Sequence, residues 1–198
     1  MPCHILIKSL EAVLANGRHS KEEQRMNPEI DRKVFRDLSY GLYITTSHDQ
    51  GRFNGQIVNT VIQVTSDPPR VAVIINKKNL THEYISKSKV FGVSVLDESA
   101  PMKFFGPFGF RSGRDIDKLE NVQFKTGSTG CPLITENALS VLEANVVDQI
   151  DLGTHTIFIG DTVFSEVLKT GQPLTYQYYH EVLKGKSPPN APTYSSEK

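Results

Sequence analysis

The chain has 198 residues, 38% of them hydrophobic, enough for one domain with an appendage at roughly 150 residues per domain. Its 22 Lys and Arg balance 22 Asp and Glu, so no broad basic field recommends nucleic acid or an anionic membrane surface as a partner. The two cysteines, Cys3 and Cys131, form no CxxC or Cys/His pattern, which excludes a zinc knuckle, an iron–sulfur cluster or a rubredoxin-type iron site and nominates no metal ligands.

No apolar run approaches the roughly 18 residues of a spanning helix, and no cleavable leader is expected, so a soluble protein of the reducing cytoplasm fits. The first segment, MPCHILIKSLEAVLANG, is weakly apolar, and RHSKEEQRMNPE after it is almost wholly polar. Residues 1–28 therefore read as an N-terminal extension or linker, with Met26 a candidate start, or else as a helix docked on the core. From Ile30 the organisation changes. Ile30, Val34, Phe35 and Leu38 recur at the spacing of an amphipathic helix. The runs LYITTS, FNGQIVNTVIQVT and VAVIIN then read as three strands, the last two separated by the turn SDPPR. A short helix over 81–87, the strand VFGVSVL, a helix begun by SAPMKFF with Pro101 in its first turn, and strands over 139–149 and 155–165 joined by IDLGT complete the series. Short turns rather than helical crossovers link neighbouring strands, which predicts a mainly β, antiparallel sheet curled into a small barrel with a few helices. The predicted domain runs from 29 to 190, with 191–198 a flexible tail.

Spacing disposes of several enzyme classes. No GxGxxG follows a strand, GKS at 185–187 has His180 where a P-loop needs glycine, His82-Glu83 and His180-Glu181 lack the second histidine of HExxH, and no GxSxG elbow occurs. What remains is polar chemistry inside strands. Asn59, Thr60, Gln63 and Thr65 interrupt the apolar series Ile57, Val58, Val61, Ile62 and Val64, a pattern that fits either the edge of a planar heterocycle or an exposed strand facing water. The next strand ends in Asn76-Lys77-Lys78-Asn79-Leu80-Thr81 just before a helix. Cations, a cap hydroxyl and free helix N–H groups make a compact phosphate site there, although Lys77 and Lys78 also fit ordinary solvated charges.

These motifs in this order, GLYITTS, VNTVIQVTSDPP, INKKNLTHEYI, FGVSVL, GRDIDKL and LGTHTIFIGDTV, resemble the flavin reductase-like FMN-binding split-barrel proteins over positions 30 to 190. The closing run LTYQYYHEVLKGKSPPNAPTY is similar to the flavin domain of high-molecular-weight rubredoxins and of flavoredoxin-like proteins, although the cysteine-rich module that follows it in the fusions is missing here. The resemblance implies an antiparallel split β-barrel that binds FMN and takes NAD(P)H as co-substrate, passing hydride to the flavin and onward. It implies that Asn59, Thr60, Val61, Gln63, Val64 and Thr65 lie along the ring and ribityl chain, and that Asn76, Lys77, Asn79 and Thr81 hold the ribityl end and phosphate. Arg114 and Lys118 add positive charge, or else pair with Asp115 or Asp117. His155 is the expected catalytic residue, at the flavin or nicotinamide edge, or else a hydrogen-bonded strand residue. Tyr178 and Tyr179 pack near the flavin, in the core or at a dimer interface; Phe104, Phe105, Phe108 and Phe110 form a loop over the site or part of the core; Cys131 has no assigned role. A homodimer is implied, with free flavin, ferric chelates, oxygen, or rubredoxin or another small redox protein as acceptor. Alternatives are a flavoredoxin-like electron carrier reduced by a protein partner and a non-catalytic flavin-binding protein.

Overall fold

In the computed structural model, residues 34–193 are described except for 36. The chain divides into a unit of Met1–Leu38 and a unit of Ser39–Lys198; the expected boundary at residue 28 lies outside the described residues. In the first unit the expected amphipathic helix is not borne out where it can be followed. Val34 and Phe35 make one 3₁₀ turn, closed by the Asp37 N–H donating to the Val34 carbonyl, and Val34, Phe35 and Leu38 are exposed rather than packed.

The second unit is built on strands β1 (Tyr43–Asp49), β2 (Arg52–Val58), β3 (Val61–Ser66), β4 (Pro69–Asn76), β5 (Val90–Leu96), β8 (Ala138–Asp151) and β9 (His155–Val167). They form one antiparallel sheet in the order β2-β1-β5-β8-β9-β4-β3. Helix α1 (Leu80–Ser88) lies between β4 and β5, α2 (Met102–Phe110) follows β5, the small pair β6 (Phe124–Thr126) and β7 (Pro132–Ile134) precedes β8, and α3 (Tyr176–Glu181) follows β9. No helix among the described residues is long and apolar enough to cross a membrane.

The sequence reading made one strand of residues 53–65; the structure makes two, broken at Asn59-Thr60. Before the break the chain pairs with β1, and after it with β4, at opposite ends of the sheet order. Six strand spacings in a flat sheet would separate those ends by about 29 Å, whereas the two-residue link reaches only about 11 Å. The sheet must therefore curl until its two edges meet, and this is the physical origin of the split barrel. The Thr60 hydroxyl donates to the Ile74 carbonyl at 3.1 Å and fixes the crossing point.

Two apolar clusters hold the architecture. Val58, Val73, Ile75, Phe91, Val93 and Phe158 fill the barrel, with Ile85 of α1 as its plug. Thr81, Tyr84 and Ile85 recur at helical spacing and form the buried face of that helix. A Cβ at Gly160 would lie 2.7 Å from the Phe91 ring, so glycine in β9 makes room for that ring in the barrel interior. The second cluster lies outside the barrel and joins Leu42, Ile44 and Leu96 to Phe104, Phe105 and Phe108 of α2 and to Tyr179 of α3. The expected aromatic loop is thus a helix. Pro101 is its N-cap rather than a first-turn residue, and Pro107 sits inside it.

Candidate functional site

A cavity of about 450 Å³ opens between β2, the start of α1, the end of α2 and the segment after α3. That is within the roughly 300–1,000 Å³ of cofactor and small-ligand sites. Its construction begins where β4 ends. The Asn76 Oδ1 accepts from the Lys78 N–H at 3.0 Å, and the Asn76 carbonyl accepts from the Asn79 N–H at 3.0 Å. This tight turn lifts the chain into α1. Asn79, not Thr81, is the N-cap, and its side chain caps nothing, so the N–H groups of Leu80 and Thr81, two residues of the cavity lining, have no partner inside the helix, while the His82 N–H donates to the Asn79 carbonyl at 3.0 Å.

Thr81 is the second helical residue and is fully buried, its hydroxyl accepting from Asn54 Nδ2 at 2.7 Å. The other end of that amide, Asn54 Oδ1, has no partner among the described residues, and neither has Gln56 Oε1 two residues along β2. Both residues line the cavity. Period-two alternation puts them on one side of the strand. Loop 111–113 closes beside them: a Cβ at Gly113 would lie 1.9 Å from Asn54 Oδ1, so only glycine permits that approach. Lys118 reaches in from the following loop, and its Nζ donates to the Gly55 carbonyl at 3.0 Å. Burial pushes this ammonium down to about 8.

Leu42, Ile57, Phe105 and Phe108 supply an apolar wall. The segment after α3 also lines the cavity, tied down by a small network. Asn190 Nδ2 donates to Asn79 Oδ1 at 3.2 Å, Asn59 Nδ2 donates to the Thr193 hydroxyl at 3.0 Å, and Thr193 also bonds the Tyr176 hydroxyl at 2.8 Å. His180 holds the bend through the Gly185 carbonyl at 2.9 Å and the Ser187 hydroxyl at 3.2 Å. Of the expected tail 191–198, residues 191–193 are described, and Thr193 belongs to this network.

Among the sequence-derived candidates, the structure brings Asn59, Asn76, Asn79, Thr81 and Lys118 together on the cavity wall. The others stand outside its lining, for visible reasons. Lys77 is turned to Asp151, with Nζ to Oδ1 at 2.5 Å, and Lys78 is the lysine of the pair that faces the cavity. Arg114 pairs with Glu83 on α1, not with Asp115 or Asp117, and its guanidinium holds that carboxyl below its usual range. Thr60 is spent on the strand crossing, and Val61, Gln63, Val64 and Thr65 lie on edge strand β3, most of it exposed. His155 pairs in register with Asn76, its Nδ1 meets the Thr154 hydroxyl at 2.9 Å, and its buried Nε2 has no partner. Tyr179 lines the cavity while Tyr178 does not. Cys131 is buried, and desolvation pushes its thiol up to about 12, which makes it inert. The sequence reading missed Asn54 and Gln56. Their signal was available in FNGQIV, where polar residues alternate on one face of a strand otherwise built for a core.

A pocket lined by amide oxygens, by aromatic and aliphatic groups, and by an uncapped helix start beside a lysine can hold a planar heterocycle carrying one anionic tail. The comparisons with known proteins agree. The protein-family model described as "Flavin reductase like domain" matches residues 35–183. The chain is 50% identical over 169 residues to a ferric-chelate reductase (NAD(P)H) of Archaeoglobus fulgidus, covering 85% of this chain and 100% of that protein. It is 47% identical over 166 residues to a high molecular weight rubredoxin of Moorella thermoacetica, covering 84% of this chain and 72% of that protein. A solved structure of the flavin reductase HpaC complexed with NADP+ superposes with a TM-score of 0.64 at 25% identity, over 73% of this chain and 90% of that one. Sequence identity over nearly the whole described unit and the matching split barrel lead to one conclusion: the chain belongs to the flavin reductase-like domain family.

Proposed function

We propose that this NAD(P)H-dependent flavin reductase holds FMN in the cavity between β2, α1 and α2 and works as a homodimer with the flavin at the subunit boundary. The observation that carries the cofactor reading is the pair of buried, unpartnered acceptors Asn54 Oδ1 and Gln56 Oε1 on the cavity wall. Each would cost about 1–3 kcal/mol if left unmade. A flavin brings the ring N–H and ribityl hydroxyls that satisfy such acceptors, and when bound it supplies hydride acceptance and onward electron delivery. Asn59, Asn76 and Asn79 are suited to the ribityl chain. The uncapped start of α1 and Lys78 favour a terminal phosphate, and Phe105 and Phe108 exclude water from the ring's apolar side. One such junction suits FMN, and the sequence offers no second glycine-rich phosphate loop for an adenosine half. Mass spectrometry of the cofactor released from purified or reconstituted protein tests this; FAD as the sole tight ligand overturns it.

The acceptor follows the relatives. The ferric-chelate reductase at 50% identity supports a ferric chelate, beside free flavin or dioxygen. The likeness to a high molecular weight rubredoxin favours the second reading, a carrier that exchanges electrons with a small iron protein. Anaerobic bleaching of the yellow protein by NADH or NADPH alone supports the reductase; bleaching only with a partner reductase supports the carrier.

The dimer rests on the outer face of the barrel. Ile150, Ile157 and Ile74 stand directly opposite one another across β8, β9 and β4, as do Ile62 and Ile159 with Ala72 between them. Ile62 is 60% and Ile150 45% exposed, and a contiguous apolar sheet face of this kind marks an association surface. Ile74 belongs both to this face and to the cavity wall, which supports a boundary next to the flavin. Edge strand β3 and His155 flank the same surface.

A further inference from the structure

Lys118 is buried with no anionic partner among the described residues. It is 7% exposed, and the Gly55 carbonyl is its sole hydrogen-bond partner among the described residues. An ammonium carries three donors, so two remain unused. Six ion pairs occur among the described residues, and none includes Lys118. The nearby Asp117 spends its Oδ1 on the Leu119 N–H. A charge taken out of water is costly unless an opposite charge or several dipoles replace the lost solvation, and one neutral carbonyl does not. Lys118 also lines the cavity together with Asn54, Gln56 and Gly113, so the missing anion has room to arrive with a ligand.

We infer that Lys118 is the counter-charge for an anionic group of the flavin, binding that group directly. This rests on the flavin reading above and adds a specific role to it. Two parts of FMN offer the required chemistry: the terminal phosphate, and the ring itself, since a hydride delivered to a neutral ring leaves one negative charge there. A purely structural role, tying the loop to β2, is the competing account.

The test uses the full chain with Lys118→Met and Lys118→Gln, the second keeping a donor for the Gly55 carbonyl in case the first fails to fold. FMN and riboflavin are titrated by fluorescence quenching, thermal melts are recorded with and without FMN, and the midpoint potential of bound FMN is measured. The expected result is at least about tenfold weaker FMN binding, the order of one charge-assisted hydrogen bond, with the flavin-free protein melting at or above the wild-type temperature. Loss of FMN affinity with riboflavin unaffected identifies the phosphate. Equal loss for both, or a midpoint lowered by about 30 mV per tenfold preference of a two-electron couple, identifies the ring. Unchanged affinities and potential overturn the inference, and a lowered melting temperature alone assigns Lys118 a structural role instead. Wild-type protein that binds no flavin overturns the flavin reading beneath it, a result distinct from flavin binding that ignores Lys118.

Discussion

His155 shows how a single side chain separates positioning from packing. Its Nδ1 is engaged by Thr154 and its Nε2 is buried without a partner, which suits a contact completed by a ligand better than a strand brace. His155→Ala should retain FMN and its melting temperature while slowing flavin reduction by NAD(P)H, because hydride transfer needs reacting atoms held about 3–3.5 Å apart. Anaerobic stopped-flow beside a thermal melt decides it; a lowered melting temperature with an unchanged rate assigns the residue to structure. Glu143 is the opposite case. This fully buried carboxylate accepts from the N–H and hydroxyl groups of both Ser128 and Thr129. Burial alone would raise its titration, yet those four donors bring it below the ordinary 4.5. Its contribution to stability is therefore complete above about pH 4.5 and is lost as the pH falls through the lower folded-state value. Glu143→Gln should cost roughly 2–4 kcal/mol in denaturant unfolding at pH 7, with the difference from wild type shrinking in acid.

The junction from β4 to α1 and the segment after α3 both line the cavity and meet through Asn79 and Asn190, and each has its own consequence. At the junction, Lys77 is already held by Asp151, whereas Lys78 faces the cavity. Lys78→Ala should weaken FMN several-fold and leave riboflavin unaffected, and Lys77→Ala should change neither by more than about twofold, as an exposed ion pair is worth little. Titration with both ligands measures this. In the segment after α3, residues 186–193 are held by Asn59, Asn79, Tyr176 and His180. Ending the chain at Gly185 should leave the barrel folded and accelerate FMN release at least tenfold, read by displacement stopped-flow; an unchanged rate would show that this wall does not retain the cofactor.

Two surfaces of the molecule carry different burdens. The barrel interior around Phe91 and Phe158 is a buried apolar cluster, while the outer row of isoleucines is the surface proposed to meet a second copy of the chain. Ile62→Asp combined with Ile150→Asp should halve the mass measured by analytical ultracentrifugation and weaken FMN, since Ile74 on the same face lines the cavity. A wild-type monomer at micromolar concentration, or a dimer that survives both aspartates, removes the proposed interface.

Much of this could be read from residue order alone, because the period-two runs in β1, β4, β5, β8 and β9 and the Gly- and Pro-marked turns are local properties of the chain. The strand VFGVSVL emerges with its expected bounds, and α1 lies within one residue of its expected ends. The family resemblance was equally visible, since its motifs are contiguous. What residue order could not disclose is which strand edge meets which. FNGQIVNTVIQVT reads as one strand by period, and only closure of a seven-stranded sheet forces its break at Asn59-Thr60. The same closure turns Asn54 and Gln56 into the cavity and leaves Gln63 and Val64 on an edge. Charge partners are likewise tertiary facts: Lys77 and Arg114 look like phosphate ligands until Asp151 and Glu83, 74 and 31 positions away, are brought beside them, while Lys118 meets the Gly55 carbonyl and joins none of the ion pairs among the described residues.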